Sequence, residues 1–409
     1  PTQSKKVAII GSGPAGLAAA VFLARQGIKI TIFEQNEAPG GLLRYGIPAY
    51  RLPRQILEQE IENIIASYNI KLECNQKIET TALNEMKKEF DLVIAAPGLS
   101  QSSMPQAWQK QAKVIGALEI LAAISRKELI PGQTFAIIGG GNAALDAARS
   151  LQRLGKDVKI IYRRTIAEMP AYDDEIKDAL EEGLTVQTET VVDKLVTNGD
   201  GLQLSLHRSR NVAGRIETGD FLETITTDYL ITAIGQESDA SLADCDPDLL
   251  KAGDFAHGAA SVAEALASGR KTAERALLKL NPALATATEE DIPKPPPIAY
   301  EQLHLNYYKK KPAIKIPQLK EKDRADNFSE VCLGLSLDEL ASEASRCFHC
   351  GSCTSCGICW FFCPDVAIAI DYESDKNSSQ ILFDYDHCKG CGQCAEVCPR
   401  GVIEMEEDL

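Results

Sequence analysis

A strand runs straight into a glycine turn, and the sequence does this twice. Lys5–Ile10 (KKVAII) is apolar and β-branched, GSGPAG follows it, and LAAAVFLARQG is an Ala-rich amphipathic stretch ending at Gly27. Ile28–Glu34 (IKITIFE) then reads as a second buried strand. The result is a βαβ unit of about 30 residues with Gly11, Gly13 and Gly16 in G-x-G-x-x-G spacing. The glycines permit a tight turn and the close approach of a pyrophosphate to the helix N-terminus, where unpaired N–H groups and the helix dipole stabilise negative charge. Pro14 and Ala15 lie between the glycines. Glu34, followed by Gln35, ends the second strand, where a carboxylate accepts hydrogen bonds from a ribose.

The unit recurs in Thr134–Arg164, with Gly139, Gly141 and Ala144 as the fingerprint and Asn142 and Ala143 opening the helix. Its second strand ends in Arg163 and Arg164 rather than an acid, which suits a ribose 2′-phosphate and favours NADPH over NADH. One charge-assisted hydrogen bond is worth ~1.5–3 kcal/mol, roughly 10- to 100-fold in affinity. The alternative is a solvated basic pair at a strand end. Two dinucleotide sites in one chain point to one flavin and one nicotinamide. DLVIAAPG (to Gly98) and DYLITAIGQ (with Gly235) read as strands that return the chain to each nucleotide domain. Gly253-Asp254 stands just ahead of a helix, where Asp254 reaches a ribityl or ribose hydroxyl, or else caps the helix. The N–H groups near Ser261 and Val262 are expected to face the flavin pyrimidine edge.

The cysteines define a separate module. Of 13, 11 lie between Cys332 and Cys398, so they read as metal ligands rather than a disulfide framework. The bacterial ferredoxin run is C-x2-C-x2-C-x3-C-P, whose fourth cysteine ligates the other cluster in two-cluster proteins. Its C-P ending sets the register here. The expected sets are Cys353, Cys356, Cys359 and Cys398 for one [4Fe–4S] cluster, and Cys388, Cys391, Cys394 and Cys363 for the second. Cys347 and Cys350 remain, either as packing cysteines or as part of a third cluster with Cys332, His349 or a partner's residues.

Composition excludes several classes. The formal charge of −15 makes a poor nucleic-acid binder. The sequence holds no apolar run of the ~18 residues a membrane helix needs, and we expect a cytoplasmic protein with no membrane span. No C-x-x-C occurs before residue 347, so a disulfide reductase chemistry beside the flavin is not expected. Ile292–Arg324 is Pro-rich and carries 8 Lys/Arg against 3 Asp/Glu, reading as an extended solvated strap or as a surface for an acidic partner.

GGLLRYGIPAYRLPR (Gly40–Arg54), GGGNAALDAA (Gly139–Ala148) and YRRTIAEMPAYDDEI (Tyr162–Ile176) resemble the small (β) subunit of glutamate synthase and its relatives over about residues 5–282. The resemblance implies FAD in the first unit, held by Gly11, Gly13, Gly16, Glu34, Gly41, Leu42, Arg51, Gly98 and Asp254. It implies NADPH in the second, held by Gly139, Gly141, Asn142, Ala143, Ala144, Arg163, Arg164 and Gly235. Those subunits carry their cluster cysteines ahead of the FAD unit, whereas here they follow it.

The expected fold is α/β: two nested Rossmann-like dinucleotide-binding domains followed by a small α+β two-cluster ferredoxin domain. FAD takes residues 1–131 and 230–282, NAD(P)H takes 132–229, an extended linker spans 283–340, and the clusters occupy 341–409. Hydride passes from NADPH to FAD N5, with Glu168 shaping the nicotinamide end. Single electrons then pass through two [4Fe–4S] clusters to a catalytic partner subunit or a ferredoxin, in a hetero-oligomer. The same parts run in reverse as a ferredoxin:NAD(P)+ reductase. A non-catalytic electron-wire adaptor is the competing class.

Overall fold

The computed structural model describes residues 5–212, 215–238, 242, 246, 249–281, 298–349, 352–371 and 380–406. Cys245, Cys350 and the start of the expected linker lie outside the described residues. The chain divides into two units: Pro1–Thr286 with Gln318–Cys332, and Ala287–Pro317 with Leu333–Leu409.

Two five-stranded parallel sheets organise the first unit. One has the order Leu250–Lys251, Leu92–Ala95, Lys6–Ile10, Lys29–Phe33, Lys71–Glu73. The other runs Val114–Gly116, Tyr229–Thr232, Thr134–Ile138, Asp157–Ile161, Thr185–Gln187. Parallel strands covered on both faces read as continuous apolar runs, and KVAII behaves so. Val7 and Ile9 enter one core with Ile30, Ile32 and Ile94, while Ala8 and Ile10 enter another with Val93 and Ala95.

Both halves make the same turn. Gly11 N–H donates to Phe33 O and Ala96 N–H to Ile10 O, each at 2.8 Å. Gly139 N–H donates to Ile161 O at 3.2 Å and Ala233 N–H to Ile138 O at 2.8 Å. A Cβ at Gly11 would sit 2.2 Å from Ala96 O, and one at Gly139 would sit 2.3 Å from Ala233 O. Each glycine also has positive φ, so only glycine fits either place.

Strand pairing crosses the expected domain boundaries. Val114–Gly116 and Tyr229–Thr232 both pair into the second sheet, and Ala117, Ile120 and Leu121 fill its core. Strands on either side of the expected 132 and 229 bounds thus share one sheet. The second nucleotide domain also carries an antiparallel sheet of Thr190–Asn198, Gly201–Val212 and Arg215–Thr227. Leu202, Leu204 and Leu206 point one way from its middle strand into a core with Ile161 and Leu230.

The helix Val262–Leu280 is capped by Ser261, whose Oγ accepts from Glu264 N–H at 3.2 Å. It packs on the helix Pro14–Arg25, and a Cβ at Gly269 would fall 2.1 Å from Ala15 O.

The described part of the expected linker 283–340 is divided between the two units. Gln318–Cys332 belongs to the first unit, where Val331 N–H donates to Tyr50 O at 2.9 Å. Arg324 is only 2% exposed, because it meets Glu182 at 3.2 Å and Asp178 at 3.3 Å. Arg149 and Arg153 reach the same Glu182 at 2.7 and 2.8 Å, closing a buried knot of three arginines.

In the second unit the helix Leu337–Ala344 starts at a capping box formed by Ser336 and Glu339. Short helices, Ile358–Phe362 and Gln393–Glu396, follow Gly357 and Gly392, both left-handed, inside the two cysteine runs. The strands Ile368–Asp371 and Gln380–Phe383 pair antiparallel between them. No helix among the described residues is long and apolar enough to cross a membrane.

Candidate functional site

Both glycine turns open onto one cavity of about 1380 Å³ in the first unit. A site for one small ligand is typically about 300–1,000 Å³, so this space suits two dinucleotides. Of the first expected set, Gly11, Gly13, Pro14, Ala15, Glu34, Gln35, Gly41, Leu42, Arg51, Gly98, Gly253, Asp254, Ser261 and Val262 line it. Of the second, Gly139, Gly141, Asn142, Ala143, Arg163, Arg164 and Gly235 line it. Gly16 and Ala144 do not, because the third fingerprint position packs helix against strand. A Cβ at Gly16 would lie 2.0 Å from Gly11 O, whereas Ala144 is fully buried.

The middle glycines differ from the others. A Cβ at Gly13 would meet nothing within 4 Å, and one at Gly141 only Pro170 at 4.0 Å. Each leaves open space at a helix N-terminus, which is where a pyrophosphate fits. Two unpartnered polar atoms also fit a bound dinucleotide. Asp254 Oδ1 and Arg164 Nε are buried without a hydrogen-bond partner. Burial pushes the Asp254 carboxyl up, partly offset by the Ala260 N–H. A buried acceptor left so is costly unless a ligand hydroxyl completes it.

Glu34 is already engaged. Its Oε2 accepts from Ser12 N–H at 3.1 Å and Ser12 Oγ at 2.5 Å, and its Oε1 accepts from Asn36 N–H and Nδ2 at 2.8 Å. These bonds fix the carboxylate at the strand end. Arg51 is committed elsewhere: its guanidinium meets Asp146 and Glu175 of the second nucleotide domain, each at 2.8 Å. Burial pushes Asp146 up to about 6 against the pull of Arg51. Glu168 lies outside the cavity lining and closes a capping box with Thr165, whose hydroxyl donates to it at 2.8 Å. Its expected nicotinamide role has no support in this geometry.

Sequence reasoning passed over Asp146 and Arg126, which also line the cavity. Arg126 donates to Asn36 Oδ1 at 3.0 Å and lies over the Tyr45 ring at 4.9 Å. Asp146 had a signal: it lies one helical turn past Asn142 on the phosphate-facing helix.

The described cysteines of the second unit differ in burial. Cys359 and Cys398 are buried at 8% and 7% exposure, while Cys353, Cys356, Cys388 and Cys391 are exposed. Burial raises the Cys359 thiol, and the neighbouring sulfurs of Cys356, Cys353 and Cys398 raise it further. Those four are the first expected ligand set, gathered across both runs. Burial likewise raises Cys394, with Cys388 and Cys391 beside it. Cys363 Sγ accepts from Ala367 N–H at 3.3 Å. No three His, Cys, Asp or Glu among the described residues converge on a single ion; an iron–sulfur cube holds its thiolates farther apart. Cys347 Sγ accepts from His349 N–H at 3.5 Å, as Cys353 Sγ does from Ser355 N–H at 3.4 Å.

The fold and cavity define a two-domain pyridine-nucleotide oxidoreductase with an iron–sulfur tail. Residues 5–269 match the family described as pyridine nucleotide-disulphide oxidoreductase, and residues 352–402 match the 4Fe-4S dicluster domain. The chain belongs to that oxidoreductase family. It is 34% identical to the NADP(+)-dependent formate dehydrogenase subunit beta of Moorella thermoacetica, over 85% of this chain and 55% of that protein. It is 32% identical to the NAD-dependent dihydropyrimidine dehydrogenase subunit PreT of Escherichia coli O157:H7, over 66% of this chain and 67% of the relative. The chain thus spans about half the length of the Moorella relative. Among solved structures, FprA from Mycobacterium tuberculosis shares the fold with a TM-score of 0.58 at 16% identity, over 69% of this chain and 86% of FprA.

Proposed function

We propose that this chain is the electron-input subunit of a larger NADPH-dependent oxidoreductase. In this reading the first nucleotide domain holds FAD, the second holds NADPH, and the cysteine module holds two [4Fe–4S] clusters. The observation that carries it is the single cavity lined by both glycine turns, with Arg163 and Arg164 at its rim. A bound flavin would supply the exchange between a two-electron hydride donor and one-electron iron–sulfur acceptors. The chain's own residues bind and orient. Gly13 and Gly141 leave room for the two pyrophosphates, and Asp254 meets a flavin-side hydroxyl. Arg163 and Arg164 select the 2′-phosphate. The Arg51 ion pairs hold the two nucleotide domains together across the cavity. Cys353, Cys356, Cys359 and Cys398 bind one cluster; Cys388, Cys391, Cys394 and Cys363 bind the other. The names of the Moorella and Escherichia relatives, each a subunit using NADP or NAD, support a hetero-oligomer with a catalytic partner.

Anaerobic mixing with NADPH or NADH, followed at the flavin and cluster absorbances, tests this reading. We expect flavin bleaching followed by cluster bleaching, faster with NADPH. Replacing both Arg163 and Arg164 with Ala should weaken NADPH by roughly 10- to 100-fold and leave NADH unchanged. No bleaching with either nucleotide would sink the proposal.

A further inference from the structure

The second unit carries positive charge that cofactor binding does not use. The chain is −15 overall, yet Lys309, Lys310, Lys311 and Lys315 fall within seven residues of an extended segment. That segment is fixed in place. His304 N–H donates to Pro399 O at 3.3 Å, and the Tyr308 ring stands 4.4 Å from Phe348. Arg400 Nε donates to Phe348 O at 2.6 Å, and Ile314 N–H donates to Glu343 Oε1 at 2.6 Å.

One anchor, Pro399, directly follows the expected cluster ligand Cys398, and another, Phe348, directly follows Cys347. Lys311 has a structural task, donating to Ser345 Oγ at 3.0 Å at the end of the Leu337–Ala344 helix. Lys309, Lys310 and Lys315 are exposed and pair with no carboxylate among the described residues. These three lysines therefore make a local positive patch on a pre-ordered backbone, which lowers the ordering cost of docking.

We propose that Lys309, Lys310 and Lys315 form the docking surface for an acidic one-electron carrier protein. The proposal rests on the electron-input reading above and adds where electrons leave. The overall reaction is NADPH + 2 oxidised carrier → NADP+ + H+ + 2 reduced carrier, so two encounters follow each hydride. A compact acidic protein meets this local patch while keeping clear of the acidic remainder. A nucleic acid or anionic bilayer presents negative charge over a far wider area, and the −15 chain repels it.

The sign of the salt effect tests the idea. If net charge governed the encounter, two acidic proteins would bind better as salt screens their repulsion. If the lysine patch governs it, binding weakens with salt. The experiment uses the cofactor-loaded full chain and a small acidic ferredoxin in its oxidised state, so the dissociation constant is read without turnover. We expect affinity to fall as ionic strength rises. Lys309→Glu/Lys310→Glu/Lys315→Glu should weaken binding on the order of 10-fold or more at low salt and abolish that dependence. Flavin bleaching by NADPH, measured on the same variant, should be unchanged. Loss of that bleaching in the unmodified chain would overturn the input reading instead. Affinity that rises with salt, or an unaltered triple variant, would overturn the docking surface. So would lysine-dependent sedimentation with anionic vesicles and no ferredoxin binding.

Discussion

Asp254 shows how one residue was legible in type and not in state. Its place after Gly253 marked it as a hydroxyl acceptor, but the buried, unpartnered Oδ1 emerged only from the packing around it. Asp254→Ala removes an acceptor worth ~1.5–3 kcal/mol when charge-assisted. The variant should purify with less flavin per chain, and flavin titration should show roughly 10- to 100-fold weaker retention. Glu182 was not legible at all, because its three arginine partners come from two separate stretches of chain. Burial raises its carboxyl, but hydrogen bonds and charge from Arg149, Arg153 and Arg324 outweigh that and hold it below the usual range. A lowered acid stabilises the fold above its unfolded value of about 4.3, and that contribution is lost as pH falls through the folded value. Glu182→Gln leaves buried guanidinium groups undercompensated, at a cost of about 3–5 kcal/mol. The gap in melting temperature from the parent chain should be flat between about pH 6 and 8 and close below about pH 4. Asp146 runs the opposite way. Its raised value means that keeping it charged costs stability, a cost that fades as pH falls from about 6 to about 4.

At the scale of elements, the two βαβ units were plain in the sequence because apolar strand, glycine turn and amphipathic helix all agree on one fold. The antiparallel sheet was missed although Leu202, Leu204 and Leu206 alternate at the two-residue period of a half-buried strand. Asn198-Gly199 ahead of them is a hairpin signal as well. Sheet membership was hidden for a related reason: a strand's sheet is chosen by its hydrogen-bonding neighbours, and Tyr229–Thr232 pairs with Thr134–Ile138. Gly269 carried no sequence signal, yet it sets how closely the helices Pro14–Arg25 and Val262–Leu280 approach. Gly269→Ala places a methyl against Ala15 O and should destabilise by about 1–3 kcal/mol. Because Ala15 sits in the first glycine turn, the same substitution should lower flavin content more than NADPH affinity. Thermal denaturation and flavin:protein ratios check both halves of that statement.

For the whole molecule, the cysteine spacing marked out the iron–sulfur module that residues 352–402 match, and the cross-ligation proposed for it is open to test. Cys398→Ser should cost the first cluster alone, lowering iron from about eight to about four per chain. Flavin bleaching by NADPH should survive, since no cysteine of that set lines the dinucleotide cavity. What the sequence hid was the path of the chain. It leaves the first unit near Thr286, contributes Ala287–Pro317 to the second, returns for Gln318–Cys332, and leaves again. Three connections therefore join two units, like a stitch rather than a tether. A single proteolytic nick at any one connection leaves both units joined through the others. The redox tail is also not a cassette that begins at its first cysteine. A recombination event that swapped only residues 341–409 would strand the segment bearing Tyr308 and the lysines on the wrong parent. An exchange that took the whole tail from residue 287 would instead bring a foreign Gln318–Cys332, and with it a foreign Arg324, into the first unit.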